Sequence, residues 1–258
     1  MPRRRPKAVA LSPGLEAAWG RRREPTRGPR PELSLGRIVD AGVTLADARG
    51  LDAVSMSRVA AALGAATMAL YRYVRTKEEL LLLMVDSAIG EPPAARQSNE
   101  AWRPALQRWA LGQLAALRQR PWIVRVPIGG PPIAPNQVAW FDRGLGCLND
   151  TRLEEIEKLA ALQLVDGVVR HQATLEADLQ LAAEAPQSLV AQGIQAYGRS
   201  LAGLIDGDRF PALTALVAAG VFEAGDESPD SEFEFGLERV LDGIEAFVRE
   251  RARRKSRR

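Results

Sequence analysis

Apolar residues recur at helical spacing after Ser34, with small and charged residues between them. An i, i+3, i+4 pattern is typical of a helix with one buried face. The apolar positions are Leu35, Ile38, Val39, Gly42, Val43 and Ala46. Ser34 is a favourable N-cap, and Gly50 marks the turn that follows. The next stretch, SMSRVAAALG (55–64), predicts a second helix that Ser55 caps and Gly64 ends.

Two more helices are predicted directly after Gly64. The stretch TMALYRYV (67–74) indicates a helix of about two turns. Thr76 begins the next helix, and Glu79 stands three residues later, as in a capping box. A helix, a tight turn with glycine and a short second helix have the geometry of a helix-turn-helix.

The rest of the chain also has helical patterns. WRPALQRWALGQLAALRQRPW (102–122) is amphipathic and ends at Pro121, and VPIGGPPIAP (126–135) is the clearest loop. Further helical patterns follow, and β-branched alternation is nowhere sustained. We therefore predict an all-α fold. A three-helix helix-turn-helix domain is expected at 34–90, and a larger helical bundle for ligand binding and dimerisation at 95–250.

The basic charge is concentrated at the two ends of the chain. Residues 1–37 carry ten Lys or Arg and three Glu, and residues 248–258 carry seven and one, so the body between them is acidic although the net charge is +3. Pro, Gly and Arg dominate residues 1–33, which predicts a flexible basic arm, and 251–258 form a basic tail. Such tails contact nucleic acid in many proteins, and in others they are solvated disorder.

Several classes of protein fit the composition poorly. The longest apolar run, LLLLMV (80–85), is far shorter than the ~20 residues of a membrane span, so we expect a cytoplasmic protein with no membrane partner. A single cysteine, Cys147, and a single histidine leave little for catalysis or metal binding. We expect no enzyme activity and no cofactor. The alternatives are an all-α enzyme and a redox-responsive regulator acting through Cys147, which needs a low-pKa thiolate with only Arg143 close by.

The short predicted helix at 67–74 has the residues to bind DNA. Thr67, Tyr71 and Arg72 can point outward while apolar neighbours face the core. Tyrosine can contact a phosphate or a thymine methyl group, and arginine can bind guanine through two hydrogen bonds. Lys77, in the first turn of the next helix, is placed for a phosphate. The alternative is an amphipathic helical hairpin whose tyrosines are half-buried at its edge.

The sequence from Leu35 to Asp86 resembles the DNA-binding domain of TetR-family transcriptional regulators. The segment LYRYVRTKEELL (70–81) carries the resemblance, because Tyr71, Tyr73, Lys77 and Leu80 stand at the family's spacing. By this resemblance the DNA-binding residues are Ser57, Thr67, Met68, Tyr71, Arg72, Tyr73 and Lys77. Many members have His at the position of Tyr73, whose hydroxyl can also reach a phosphate.

The C-terminal part is similar to the tetracycline-repressor subgroup of the family. The similar features are Ala101–Trp102 with Arg120–Pro121–Trp122, the GPPIAPN loop and FEFGLERVLDGIE. The resemblance implies a homodimer through two long helices, at about 152–180 and 231–250. Their apolar stripes are Leu159, Leu162, Val165 and Val169 on the first and Phe235, Leu237, Val240, Leu241, Ile244 and Phe247 on the second. Burial of these stripes within one monomer is the alternative.

The same resemblance implies a pocket for a small-molecule effector. Its candidate ligand-binding residues are Trp109, Gln113, Trp122, Arg125, Trp140 and His171. Each has an ordinary alternative, as a core tryptophan or a surface histidine. Residues 120–135 contain no His, Asp or Glu, so we expect no metal and no magnesium–tetracycline complex. The predicted function is a repressor that a hydrophobic or aromatic effector releases from a palindromic operator in double-stranded DNA, with an exporter or biosynthesis gene as the target.

The N-terminal arm adds a prediction of its own. A flexible segment that precedes a helix-turn-helix can follow the DNA backbone into the adjacent minor groove, whose negative potential attracts arginine. We therefore include Arg21, Arg22, Arg23, Arg27 and Arg30 as candidate DNA contacts. A solubility tail without a partner is the alternative.

Overall fold

The computed structural model describes residues 11–21, 33–184, 193–223 and 230–255, and the regular structure in these ranges is helical. The chain divides into two compact units, Met1–Thr151 and Arg152–Arg258. The division predicted from the sequence, with domains at 34–90 and 95–250, stays a prediction. None of the helices in the described ranges is long and apolar enough to cross a membrane.

The first unit contains seven α-helices and two short 3₁₀ turns in its described residues. The α-helices are α1 (Pro13–Ala18), α2 (Leu35–Arg49), α3 (Met56–Ala62), α4 (Thr67–Leu70), α5 (Lys77–Ile89), α6 (Trp102–Gln119) and α7 (Pro135–Cys147). The 3₁₀ turns are Leu51–Ala53 and Pro121–Arg125. The described helices of the second unit are α8 (Glu155–Ala183), α9 (Ile194–Leu204), α10 (Pro211–Ala218) and α11 (Ser231–Lys255).

Three hydroxyl side chains begin helices of the first unit, as the sequence predicted. Ser34 accepts the backbone N–H of Arg37 at 3.3 Å, and Ser55 accepts that of Arg58 at 3.2 Å. Thr76 accepts the N–H of Glu79 at 3.1 Å. Each bond satisfies a donor that has no partner within the helix.

Three sequence predictions are wrong in detail. The predicted helix at 67–74 is only Thr67–Leu70, and Tyr71 to Tyr73 form a turn. The capping box is half-formed, because Glu79 accepts from Arg75 and from the N-terminal segment rather than from Thr76. Within the arm predicted to be flexible, residues 11–21 contain α1, whose start is marked by Ser12 as N-cap and Pro13 at the first helical position.

The helix-turn-helix has a core between α2 and α5. Ile38, Leu80 and Met84 are buried in it. Gly42 lets the two helices approach closely, because a Cβ atom there would lie 2.7 Å from the sulfur of Met84. Helix α5 also packs against α6 and α7, so the helix-turn-helix is continuous with the remainder of the first unit.

Gly42→Ala is expected to destabilise the protein by about 1–3 kcal/mol, because the added methyl group would displace the fully buried side chain of Met84. Gly36→Ala on the same helix is the control. A Cβ atom at Gly36 meets nothing within 4 Å, so that change is expected to be neutral or to stabilise by up to about 1 kcal/mol. Chemical denaturation of both variants measures the difference, and equal stabilities would contradict this account of the α2–α5 contact.

Candidate DNA-binding and effector sites

The turn between α3 and α4 is built around Gly64. Its φ of 65° lies in the left-handed region, as the sequence predicted for a residue that ends a helix. The N–H of Gly64 bonds to the carbonyl of Ala61 at 3.1 Å, and that of Ala65 bonds to the carbonyl of Ala60 at 2.9 Å. This pair of bonds is a Schellman motif, which reverses the chain and fixes where α4 begins.

Helix α4 and the turn after it expose large polar and apolar side chains. Leu70 and Val74 are fully buried and anchor the segment to the core. Met68 is 74% exposed, and Tyr71 and Arg72 are also exposed. The structure therefore brings together these three predicted DNA-binding residues on one surface, whereas Thr67 is half-buried.

Tyr73 has a different environment from the one predicted. Its side chain is half-buried, and its hydroxyl donates to the backbone carbonyl of Leu33 at 2.7 Å. The single hydroxyl proton is thus used within the chain and is not available to a phosphate. In this structure Tyr73 holds the residue that precedes α2.

Residues 71–76, which connect α4 to α5, are called the recognition turn. Exposed polar groups flank this turn. Lys77, at the start of α5, and Ser57, in the first turn of α3, are both exposed. Arg58 and Arg75 are exposed as well, and sequence reasoning did not select them. Arg21 is exposed at the end of the α1 segment, whereas Arg22, Arg23, Arg27 and Arg30 lie outside the described residues.

Two of the predicted effector residues contact each other directly. Trp109 on α6 and Trp140 on α7 are buried, with ring centroids 6.1 Å apart in an edge-to-face arrangement. The indole N–H of Trp109 donates to the backbone carbonyl of Trp140 at 2.9 Å. Gln113, one helical turn after Trp109, is buried on the same helix. These three residues form an α6–α7 cluster.

Trp122 joins the 3₁₀ turn after α6 to the helix-turn-helix. Its indole N–H donates to the carboxylate of Asp47 on α2 at 2.7 Å. Arg120 donates to the same carboxylate at 3.2 Å and to the carbonyl of Ala88 at 3.1 Å. Trp122 therefore connects the 3₁₀ turn after α6 to α2. Arg125, three residues on, is exposed.

A second polar connection joins the end of α5 to the start of α7. The buried carboxylate of Asp86 accepts the N–H of Gln137 at 2.8 Å, and Asn136 donates to the Asp86 carbonyl at 2.9 Å. Burial raises the pKa of the Asp86 carboxyl, and hydrogen bonds that the carboxylate accepts from the backbone of Gln137 and Asn136 oppose that shift. Nearby, the indole N–H of Trp140 donates to the carbonyl of Gly90 at 2.9 Å.

The second unit contains the pair α8 and α11. His171 lines a groove of about 450 Å³ between them, together with Leu164, Val168, Phe233, Gly236 and Val240. Much of the predicted apolar stripe is buried within the chain, namely Leu162, Val165, Val169, Leu237, Leu241 and Ile244. The exposed large apolar residues of the two helices are instead Ile156, Leu164, Leu175, Leu179, Leu181, Phe235 and Phe247. Of the predicted stripe, only Phe235 and Phe247 are among these exposed residues.

Cys147 has the environment of a structural thiol. It is 2% exposed, and its sulfur donates to the carbonyl of Arg143 at 3.3 Å. Burial raises the pKa of the thiol, which disfavours the reactive thiolate. No group of three or more His, Cys, Asp or Glu that could hold a metal ion occurs in the part of the chain that the structure describes.

Two family models match the chain. The model of bacterial regulatory proteins of the tetR family matches residues 38–84, and the model of the tetracyclin repressor-like C-terminal domain matches residues 94–248. The chain is also 37% identical over 240 residues to the HTH-type transcriptional repressor DrrR1 of Streptomyces coeruleorubidus. That alignment covers 92% of this chain and 86% of the relative.

Two crystal structures of ActR from Streptomyces coelicolor share the fold. The complex with (S)-DNPA has a TM-score of 0.68 and 24% identity, and covers 84% of this chain and 98% of that one. The complex with actinorhodin has a TM-score of 0.67 and 25% identity, and covers 83% and 96%.

Proposed function

The chain belongs to the TetR family and is a ligand-responsive transcriptional repressor that binds DNA, and we propose that it binds a palindromic operator as a homodimer and leaves it when an aromatic effector binds. Members of this family are DNA-binding regulators rather than enzymes. The observation that carries the proposal is the surface formed by Met68, Tyr71 and Arg72.

This surface has the chemistry of a major-groove contact. Arg72 supplies paired N–H donors for guanine, and Met68 and Tyr71 supply apolar area for a thymine methyl group. Lys77 and Ser57 flank the turn with groups that suit phosphate oxygens. Burial of Leu70 and Val74 supports this assignment, because the exposed residues between them have a fixed backbone on which to act.

Replacing Tyr71 or Arg72 with Ala is expected to cost about 1–3 kcal/mol in specific binding, because each change removes a contact to a base or a close phosphate. Lys77→Ala is expected to weaken binding to every sequence and to lower the salt slope by about one phosphate. Affinities on a duplex selected from a random library with the wild-type protein, measured over a range of salt concentrations, check both. Arg209→Ala, in the second unit, is the control. Wild-type affinity in all three test variants would refute the assignment.

The arginine-rich segment after Arg21 is proposed as a further phosphate or minor-groove contact. Its support is its charge and its position in the sequence between α1 and α2. The salt titration described above also tests this proposal. A protein with Arg22, Arg23 and Arg27 replaced by Ala should have a salt slope lower by up to about three phosphates, and an unchanged slope would leave the segment with no part in binding.

The proposed dimer uses the exposed faces of α8 and α11. These faces present Ile156, Leu164 and Phe235 with exposures of 71%, 60% and 65%, which is a large apolar area for a surface. Gly167 and Gly236 line the groove between the helices, and a Cβ atom at either meets nothing within 4 Å. A helix of a second copy fits such a groove. A dimer also suits a palindrome, whose half-sites are about 34 Å apart.

Leu164→Glu and Phe235→Glu are expected to convert the protein to a monomer at micromolar concentration, because each buries an unpaired charge in the proposed interface. Sedimentation velocity measures the mass. Leu204→Glu on α9 is the matched control, since Leu204 is 80% exposed outside these two helices. If both test variants sediment as the wild-type dimer does, the interface lies elsewhere.

The proposed effector site is the α6–α7 cluster of Trp109, Gln113 and Trp140. Aromatic walls with a buried amide are typical of sites that hold a planar, partly polar compound. ActR has been crystallised with actinorhodin, which makes large aromatic compounds the class to test. The hydrogen bonds of Trp122 and Arg120 to Asp47 give a movement of α6 a direct route to α2.

A panel of large aromatic compounds that includes actinorhodin is expected to contain at least one that raises the melting temperature and releases the selected duplex. Gln113→Leu should weaken that compound's binding about tenfold through loss of a hydrogen bond, with operator affinity retained. Leu111→Ala on the same helix is the control. Equal compound affinity in wild type and Gln113→Leu would place the effector elsewhere.

A further inference from the structure

We propose that residues 12–21 form a strut that connects the loop before α7 to the recognition turn, with Trp19 and Glu79 as positioning residues for DNA binding. The strut consists of α1 and the residues that cap it. One end contacts α5, and the other contacts the loop at 126–134. The distance between Ser12 and Trp19 is about 10 Å along the helix axis.

The first end of the strut is bound to Glu79. The Glu79 carboxylate accepts the hydroxyl of Ser12 and the backbone N–H of Gly14, the latter at 3.1 Å. Gly14 is buried, and a Cβ atom there would lie 2.5 Å from Glu79 Oε1 and 3.1 Å from the carbonyl oxygen of Tyr73. The contact is therefore tight enough to require glycine.

Glu79 also binds the recognition turn. Its second carboxylate oxygen accepts the backbone N–H of Arg75 at 2.7 Å. Tyr73 is held by the backbone carbonyl of Leu33, which its hydroxyl contacts, and its own carbonyl lies against Gly14. Tyr73 and Arg75, the residues on either side of Val74, thus bond to Leu33 before α2 and to Glu79 on α5. The position of Arg72 depends on these groups as well as on Leu70 and Val74.

The second end of the strut is bound to the loop. The indole N–H of Trp19 donates to the backbone carbonyl of Ile133 at 2.9 Å. Ala134, the next residue, is the N-cap of α7, so the loop leads directly into the start of that helix. The chain turns away directly after Trp19 at Gly20, whose φ is 64°.

The strut completes a closed set of contacts around α5. The last turn of α5 is already bonded to the start of α7 through Asp86 and Gln137. Through Glu79 and Trp19, the strut connects the first turn of α5 to Ile133, the residue before the N-cap of α7. A displacement of α7 therefore acts on both ends of α5. The recognition turn is bonded to the N-terminal end, through Glu79.

The test is a double-mutant cycle on the full-length protein and the duplex selected with wild type. Trp19→Phe removes the N–H donor and keeps most of the ring, and Glu79→Gln weakens the acceptor. We expect each to reduce specific affinity severalfold, about 3- to 10-fold. Because both interrupt one connection, the double variant should be no weaker than Glu79→Gln alone. Gly14→Ala gives an independent break if Glu79→Gln fails to fold. Trp102→Phe is the matched control.

The salt slope separates positioning from direct contact. Trp19→Phe changes no charge and removes no phosphate contact, so its salt slope and its affinity for non-specific DNA should stay at wild-type values. Amide exchange at residues 71–76 should become faster in Trp19→Phe. Additive losses, a lower salt slope, or wild-type specific affinity in Trp19→Phe would each overturn the strut. The inference rests on DNA binding by the proposed surface, and a wild-type protein that enriches no duplex would refute that function rather than the strut.

Discussion

A helix of one turn cannot hold its own shape in water, because too few hydrogen bonds offset the entropy of ordering it. Helix α4 is such a helix, and it exposes Met68 while keeping only Leu70 inside. Its position must come from the chain around it. The Schellman motif at Gly64 fixes its beginning, buried Val74 fixes the turn after it, and Glu79 holds Arg75. The side chains proposed to meet DNA are thus placed by residues that do not meet it, and this dependence makes the surface responsive to the rest of the first unit.

Indole groups make several of the connections within that unit. A buried Trp N–H needs an acceptor, and each one here takes it from a different element. Trp109 donates to Trp140 and Trp140 donates to Gly90, which links α6 to α7 and α7 to the end of α5. Trp122 donates to Asp47 and links the 3₁₀ turn after α6 to α2. The same tryptophans were predicted from the sequence to bind the effector. Their hydrogen bonds also give Trp140 and Trp122 a structural role, because these bonds connect α7 and the turn after α6 to α5 and α2.

The features that the sequence predicted well are local ones. Ser34, Ser55 and Thr76 cap helices because a hydroxyl beside a free backbone N–H needs no distant partner, and Gly64 ends α3 for a similarly local reason. Errors occurred where a distant group decides the outcome. Glu79 does not complete the predicted capping box, because its carboxylate accepts hydrogen bonds from Ser12 and Gly14, more than sixty positions away in the sequence. Burial of Leu162 and Leu241 likewise depends on how the chain packs, which an apolar stripe alone does not specify. Ser12 and Pro13 are typical of the start of a helix. The Pro, Gly and Arg residues around them favoured the prediction of a flexible arm instead.

The position of α1 also changes how the basic N-terminal region is understood. A free arm loses much conformational entropy when it binds DNA, which reduces the affinity that its arginines contribute. Here Trp19 and Gly14 are bonded to the first unit on one side of the arginine-rich segment, and Leu33 is bonded to Tyr73 on the other. The sequence between Arg21 and Leu33 therefore begins and ends at residues that are bonded within the first unit. Leu33 is bonded directly to Tyr73, so one of these two ends lies beside the surface proposed to bind DNA.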